Sequence, residues 1–190
     1  MKTKIQNFVE SYLKNLNLAI VNSDIKKLEK AALIIKKTAQ KKRTIFVCGN
    51  GGSAAISNHY VCDYLKFLRQ HSRLKPKVIS LSSNIETITA ISNDINYDQV
   101  FKYQAENLFE KDDLLIMISS SGNSKNIKEV LKFAKKMSVK TIGFSGFDGG
   151  FLKKKSDISI HINAKNYGIS EDAHHIMMHI MLQYLIKYEK

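Results

Sequence analysis

The chain has 190 residues, with 30 Lys and Arg against 17 Asp and Glu and a formal net charge of +13. The length fits one domain, and 44% hydrophobic content is too high for a disordered chain. No apolar run reaches about 18 residues, which excludes a membrane-spanning helix.

Residues 3–42 read as two helices. Ile5, Phe8, Val9, Tyr12, Leu13 and Leu16 follow the i, i+3, i+4, i+7 pattern of the first. Ser23 is the expected N-cap of the second, with Asp24 in its first turn and Ile25, Leu28, Ala31, Leu33, Ile34 and Ile35 on its apolar side. No strand precedes this pair. After Lys42 short apolar runs alternate with helical patterns. The runs are 44–48, 77–81, 114–118, 141–144 and 158–162; the helices are expected at about 53–68, 97–109, 124–137 and 169–188. Apolar strands alternating with helices predict a parallel sheet covered on both faces. Pro76 precedes the second run, where it removes no central ladder bond.

In such sheets ligands bind beyond the carboxyl ends of the strands. The loop after the first run is Gly49-Asn50-Gly51-Gly52-Ser53-Ala54-Ala55, and the loop after the third is Ser119-Ser120-Ser121-Gly122-Asn123-Ser124. Each leads into a helix, so each offers amides or hydroxyls to an anion. Neither carries a P-loop Lys, which disfavours nucleotide hydrolysis. The first loop matches Gly-x-Gly-x-x-Ala, but the next run ends Leu81-Ser82-Ser83-Asn84, without the acid that binds a ribose hydroxyl. No nucleotide cofactor is expected, and two such loops on one sheet point to a phosphate.

The charge suggests nucleic acid at first sight. Yet only Arg43, Arg69 and Arg73 among the cations are Arg, the type suited to base readout and bidentate phosphate clamps. The Lys are scattered and read as solvated surface, so neither a nucleic acid nor a membrane partner is expected. The polar interruptions Gln6, Asn7, Glu10 and Ser11 argue against a signal peptide, and Cys48 and Cys62 are too few for a disulfide framework. A cytoplasmic location is the expectation.

Together these pieces resemble a sugar-isomerase (SIS) domain, and within it the sedoheptulose 7-phosphate, or phosphoheptose, isomerases. The resemblance is carried by Cys-Gly-Asn-Gly-Gly-Ser-Ala-Ala at 48–55, Leu-Ser-Ser-Asn at 81–84, Thr-Ala-Ile-Ser-Asn-Asp at 89–94, Ser-Ser-Ser-Gly-Asn-Ser at 119–124, Gly-Phe-Asp-Gly-Gly at 146–150 and the His-rich last helix. It covers nearly the whole chain and implies a single domain over 1–190. The expected fold is an α/β three-layer sandwich, flavodoxin-like, with a five-stranded parallel sheet. The hairpin 1–42 would serve oligomerisation, in a homotetramer with active sites between subunits.

The resemblance also implies roles. Asn50, Gly51, Gly52 and Ser53 would contact a phosphosugar substrate; Ser119, Ser120, Ser121 and Ser124 would hold its phosphate; Asn93 and Asp94 would reach its hydroxyls. His59, Asp63, Glu171 and His179 fall on the family's metal positions, implying one Zn²⁺ per subunit. Asp63 stands where the family has Glu, Glu171 where it has Gln, and Phe67 where it has Arg, so a divergent branch is expected. Helical spacing allows this set, since His59 and Asp63 are i, i+4 neighbours and Glu171, His175 and His179 form one stripe. Spacing also leaves His175 open as a rival ligand, whereas His174 and His175 read first as core residues.

The implied reaction is ketose–aldose isomerisation of sedoheptulose 7-phosphate to D-glycero-D-manno-heptose 7-phosphate, supplying heptose for lipopolysaccharide or capsule. Asp63 is the expected base, His179 the acid and Glu171 the alternative base. The alternatives are a non-catalytic module that binds a phosphosugar or a replication initiator, or an isomerase or epimerase of another sugar phosphate.

Overall fold

The computed structural model describes residues 2–189. Among them five strands are found: β1 (Thr44–Gly49), β2 (Lys77–Ser80), β3 (Leu114–Ser119), β4 (Lys140–Ser145) and β5 (Ile158–His161). They pair in parallel in the order β2-β1-β3-β4-β5. Each apolar run thus becomes a strand, and β3, at the centre, is buried at every residue. The edge strand β2 instead alternates exposed and buried residues, with Ile79 41% exposed. Its outer face lacks the helical cover that a wholly apolar run would require.

Alternate strand residues point to opposite layers. Ile45, Val47, Leu114, Ile116 and Ile118 join one core cluster, with residues of α1 (Lys4–Val21), α2 (Ile25–Gln40), α3 (Gly52–Cys62) and α9 (Tyr167–Tyr188). Phe46, Cys48, Leu115 and Met117 join the other, with α5 (Ile85–Asp94), α6 (Val100–Leu108), α7 (Lys125–Lys136) and α8 (Gly150–Lys155). The result is a three-layer α/β fold with an N-terminal helical pair. None of its described helices is long and apolar enough to cross a membrane.

Several local expectations change. Asp24, not Ser23, caps α2, accepting the Lys27 N–H at 3.3 Å, while Ser23 donates to the Ile20 carbonyl at 2.6 Å. The expected helix 53–68 is not uniform: α3 runs into a π-helical segment, Asp63–Leu68, and then the short α4 (Arg69–His71). A 3₁₀ turn, Tyr97–Gln99, precedes α6. Two helices, α5 and α8, were not anticipated. Only Ile91 of α5 is buried, and α8 spans six residues, so neither carries a full apolar stripe.

Asp113 ties the sheet to its loops. It is 2% exposed and accepts the Thr44 N–H at 2.9 Å and the Glu110 N–H at 2.8 Å. Its own carbonyl accepts from Lys140 at 3.1 Å. The start of β1 is thereby fixed beside the starts of β3 and β4. Asp113→Ala leaves two backbone donors without their acceptor and is expected to cost about 2 kcal/mol. In thermal unfolding that is a fall in Tm of about 4–8 °C, with Asp113→Asn, which keeps one acceptor oxygen, falling less. An unchanged Tm for Asp113→Ala would refute this account.

Candidate active site

β1 and β3 lie side by side, with Gly49 in register with Ile118. The loops that follow them open into α3 and α7 and enclose a cleft of about 150 Å³. Asn50, Ser53, Ser119, Ser120, Ser121 and Ser124 line it, together with Tyr167 and Glu171. The helices opening here differ from four others in the chain. Thr3, Asp24, Asn84 and Asn166 cap α1, α2, α5 and α9 through their side chains. The N-cap residues of α3 and α7, Gly51 and Ser124, make no side-chain cap hydrogen bond. Ordinary capping therefore does not account for Ser124, and the N-termini of α3 and α7 present partial positive charge to the cleft. Ser120 Oγ is also buried without a hydrogen-bond partner among the described residues.

Gly122 makes this geometry possible, and Gly52 gives the Glu171 side chain room. Gly122 has φ +64°, and a Cβ there would strike the Gly149 carbonyl. A Cβ at Gly52 would strike the carboxylate of Glu171. The loop after β1 is further held by a reciprocal amide pair: Asn50 donates to Asn126 at 3.0 Å and Asn126 donates to Asn50 at 2.9 Å. Asn126 is 2% exposed. The Tyr97 hydroxyl donates to the Asn50 amide oxygen at 2.8 Å.

A second group of side chains lies on α3, the π segment and α9. His59 Nε2 lies 3.2 Å from His179 Nε2. Asp63 Oδ2 lies 3.4 Å from His59 Nε2 and 3.2 Å from His179 Nε2. Their placement follows from packing on α3 and its continuation. Tyr60 and Tyr64 form a buried stack, 3.9 Å between ring centroids, and that stripe faces the core. The adjacent His59–Asp63 stripe is consequently turned outward, with His59 44% exposed and Asp63 19%. Asp63 is also the first residue of the π segment, a distortion frequent at functional sites.

On α9, Ala173, Met177, Met178 and Met181 fill the core beside His174. His174 is wholly buried, edge-on to Phe144, and neither ring nitrogen has a partner among the described residues. Burial pushes it down to about 4, so it stays a neutral core residue. His175 behaves differently. Its ligand atom lies within 4.8 Å of those of His59 and His179. Burial, then the neighbouring His179 and His59, push it below its ordinary value.

The structure therefore gathers Asn50, Ser53, Glu171 and the four serines into one cleft, and His59, Asp63 and His179 into one cluster. Gly51 and Gly52 open α3 at the cleft's rim. Glu171 is not in the three-histidine group; its carboxylate lies against Gly52. Asn93 and Asp94 are not among the cleft's lining residues; Asn93 donates to Asp94 at 2.8 Å at the exposed end of α5. Sequence reasoning missed Asn126, Tyr97 and Tyr167. The i+4 stripe was the only signal that pointed to His175.

Comparison with known proteins gives this geometry a context. The SIS domain family matches residues 8–146. A phosphoheptose isomerase of Campylobacter concisus is 33% identical over 183 residues, covering 96% of this chain and 95% of its own. One of Aliarcobacter butzleri is 38% identical, covering 82% of each. The solved structure of a phosphoheptose isomerase from Francisella tularensis superposes with a TM-score of 0.88 at 26% identity, covering 97% of each chain. The sheet order, the serine-lined cleft and these matches agree: the chain belongs to the SIS domain family, among the phosphoheptose isomerases.

Proposed function

We propose that this protein interconverts sedoheptulose 7-phosphate and D-glycero-D-manno-heptose 7-phosphate. The observation that carries the proposal is the stripe on α9. Glu171 lies in the serine cleft and His179 in the histidine–aspartate cluster. Eight residues of helix separate their backbones by about 12 Å along the axis, so one face of α9 reaches from the serine cleft to the histidine–aspartate cluster. The relatives favour neither a non-catalytic module nor an enzyme of another sugar phosphate.

Ser119, Ser120, Ser121 and Ser124 bind the phosphate, helped by the uncapped start of α7. Asn50, Gly51, Gly52 and Ser53 line the carbon chain, and Asn93 and Asp94 stand at an exposed helix end open to a sugar hydroxyl. Asp63 is assigned as the base that removes a proton from C1 of the ketose, leaving an enediolate. His179 protonates the oxygen on C2. Asp63 then returns its proton to C2 while His179 takes the O1 proton, and C1 becomes the aldehyde. Glu171 is the second candidate base.

The donor set fits zinc. The three distances among His59 Nε2, Asp63 Oδ2 and His179 Nε2, 3.2–3.4 Å, match the roughly 3.3 Å edge of a tetrahedral site. The resemblance makes Glu171 the fourth ligand. When bound, zinc supplies Lewis-acid polarisation of the carbonyl oxygen. A ring nitrogen that ligates zinc carries no proton, so Nε2 of His179 serves as acid or as ligand but not as both at once.

We further propose a homotetramer held by the helical pair 1–42. Ile5, Phe8, Val9, Leu13, Leu18 and Val21 are 46–66% exposed in the isolated chain, an apolar face suited to further copies of itself. The free thiols Cys48 and Cys62 support a reducing, cytoplasmic location.

Assays of purified protein on heptose, hexose and pentose phosphates are expected to show the highest kcat/KM with sedoheptulose 7-phosphate. Asp63→Asn is expected to lower kcat by about 10²–10⁴-fold, and Glu171→Gln by less than about tenfold. The opposite ranking would move the base to Glu171. Light scattering after size-exclusion chromatography is expected to give four chain masses. Phe8→Asp combined with Leu13→Asp is expected to yield a smaller species; a wild-type monomer would sink the assembly proposal.

A further inference from the structure

We infer that His175 is a zinc ligand in this chain, occupying the coordination position that the family resemblance gives to Glu171. The inference rests on reading the cluster as the zinc centre of an isomerase. Three observations carry it. First, the ligand atoms of His59, His175 and His179 lie within 4.8 Å of one another. The rings crowd about one point, with His175 centroids 4.7 Å from His59 and 4.6 Å from His179. Second, His175 Nε2 is buried and has no hydrogen-bond partner among the described residues. His174 shows that an unpartnered ring nitrogen alone is no ligand; what sets His175 apart is that its free nitrogen stands beside two other imidazoles. Third, the rival carboxylate is elsewhere, packed against Gly52 in the serine cleft.

The chemistry is coherent. His175 and His179 are i, i+4 neighbours on one helix face, the spacing by which helix-borne histidine pairs hold zinc. Zinc takes imidazole nitrogen and carboxylate oxygen alike. His59, His175 and His179 would hold the ion, with Asp63, 3.2–3.4 Å from His59 and His179, as its one carboxylate ligand rather than one of two. Glu171 is released from coordination and left in the serine cleft.

The test is zinc binding, read apart from turnover. X-ray absorption on the zinc-loaded wild-type protein is expected to count three imidazole ligands; two would overturn the inference without any variant. Zinc affinity is then measured by competition with a chromophoric chelator. His175→Leu and His175→Gln are expected to lose more than about 100-fold, beyond the cost of removing a group that only orients a ligand. Both are expected to change the visible spectrum of the cobalt-substituted protein, with metal-free melting curves like the wild type's. Glu171→Gln is expected to retain its zinc. Wild-type affinity and spectrum in both His175 variants, loss of zinc in Glu171→Gln alone, or no zinc binding by the wild type would each overturn the assignment. Turnover of sedoheptulose 7-phosphate by the same preparations separates the two readings. An inactive wild type whose His175 variants lose zinc would refute the isomerase and keep the ligand. An active wild type whose His175 variants keep zinc would refute only the ligand.

Discussion

Parallel pairing of β1 with β3 is the constraint from which the cleft follows. The chain runs from β1 out to the edge strand β2 and must cross back over β1 to lay down β3. The connections on either side of that return leave the sheet in opposite directions, so a crevice opens between the two strand ends. Because Gly49 is in register with Ile118, Asn50 and Ser119 emerge at the same height. The reciprocal amide pair of Asn50 and Asn126 then bridges the gap at 2.9–3.0 Å and fixes the spacing of the two loops. A slip in register would separate this pair and the two loops together.

The +13 charge takes on a different meaning beside this geometry. The cleft is lined by hydroxyls, amides and one carboxylate, and no Lys or Arg is among its lining residues. Anion recognition by serines and helix termini is directional and short-ranged, and the partial charges cost no desolvation of an ammonium. The scattered Lys lie outside the cleft, and charges so placed affect an anion only at long range, through a field that salt screens.

Much of the fold was legible because buried parallel strands must be apolar at every position, and runs such as Leu114–Ile118 leave no competing reading. The loops were legible because glycine and serine at strand ends have few other uses. What escaped was set by tertiary contact. α5 shows mostly polar residues and a single buried one, so periodicity had nothing to register. Tyr60 and Tyr64 stack where α3 passes into the π segment, and no residue type there signals the change. Asn126 sits on the first turn of α7, where an asparagine reads as an ordinary cap; only the fold brings Asn50 to it. His174 and His175 are adjacent and chemically identical, and the 100° between them on α9 sends one into the core and the other to the cluster.

That angular difference links the chain's departures from its family. The family resemblance puts Glu at 63 and Gln at 171; set against it, Asp63 is shorter by a methylene and Glu171 exchanges an amide for a carboxyl group. A site holding both carboxylates would gather excess charge around two imidazoles. Glu171 packs against Gly52 in the cleft, and His175, one helical turn from His179, stands beside the other two histidines. On the reading that His175 is a ligand, the residues at 63, 171 and 175 form one coupled adjustment: three histidines stay gathered about one point, and the carboxylate of Glu171 lies in the serine cleft instead.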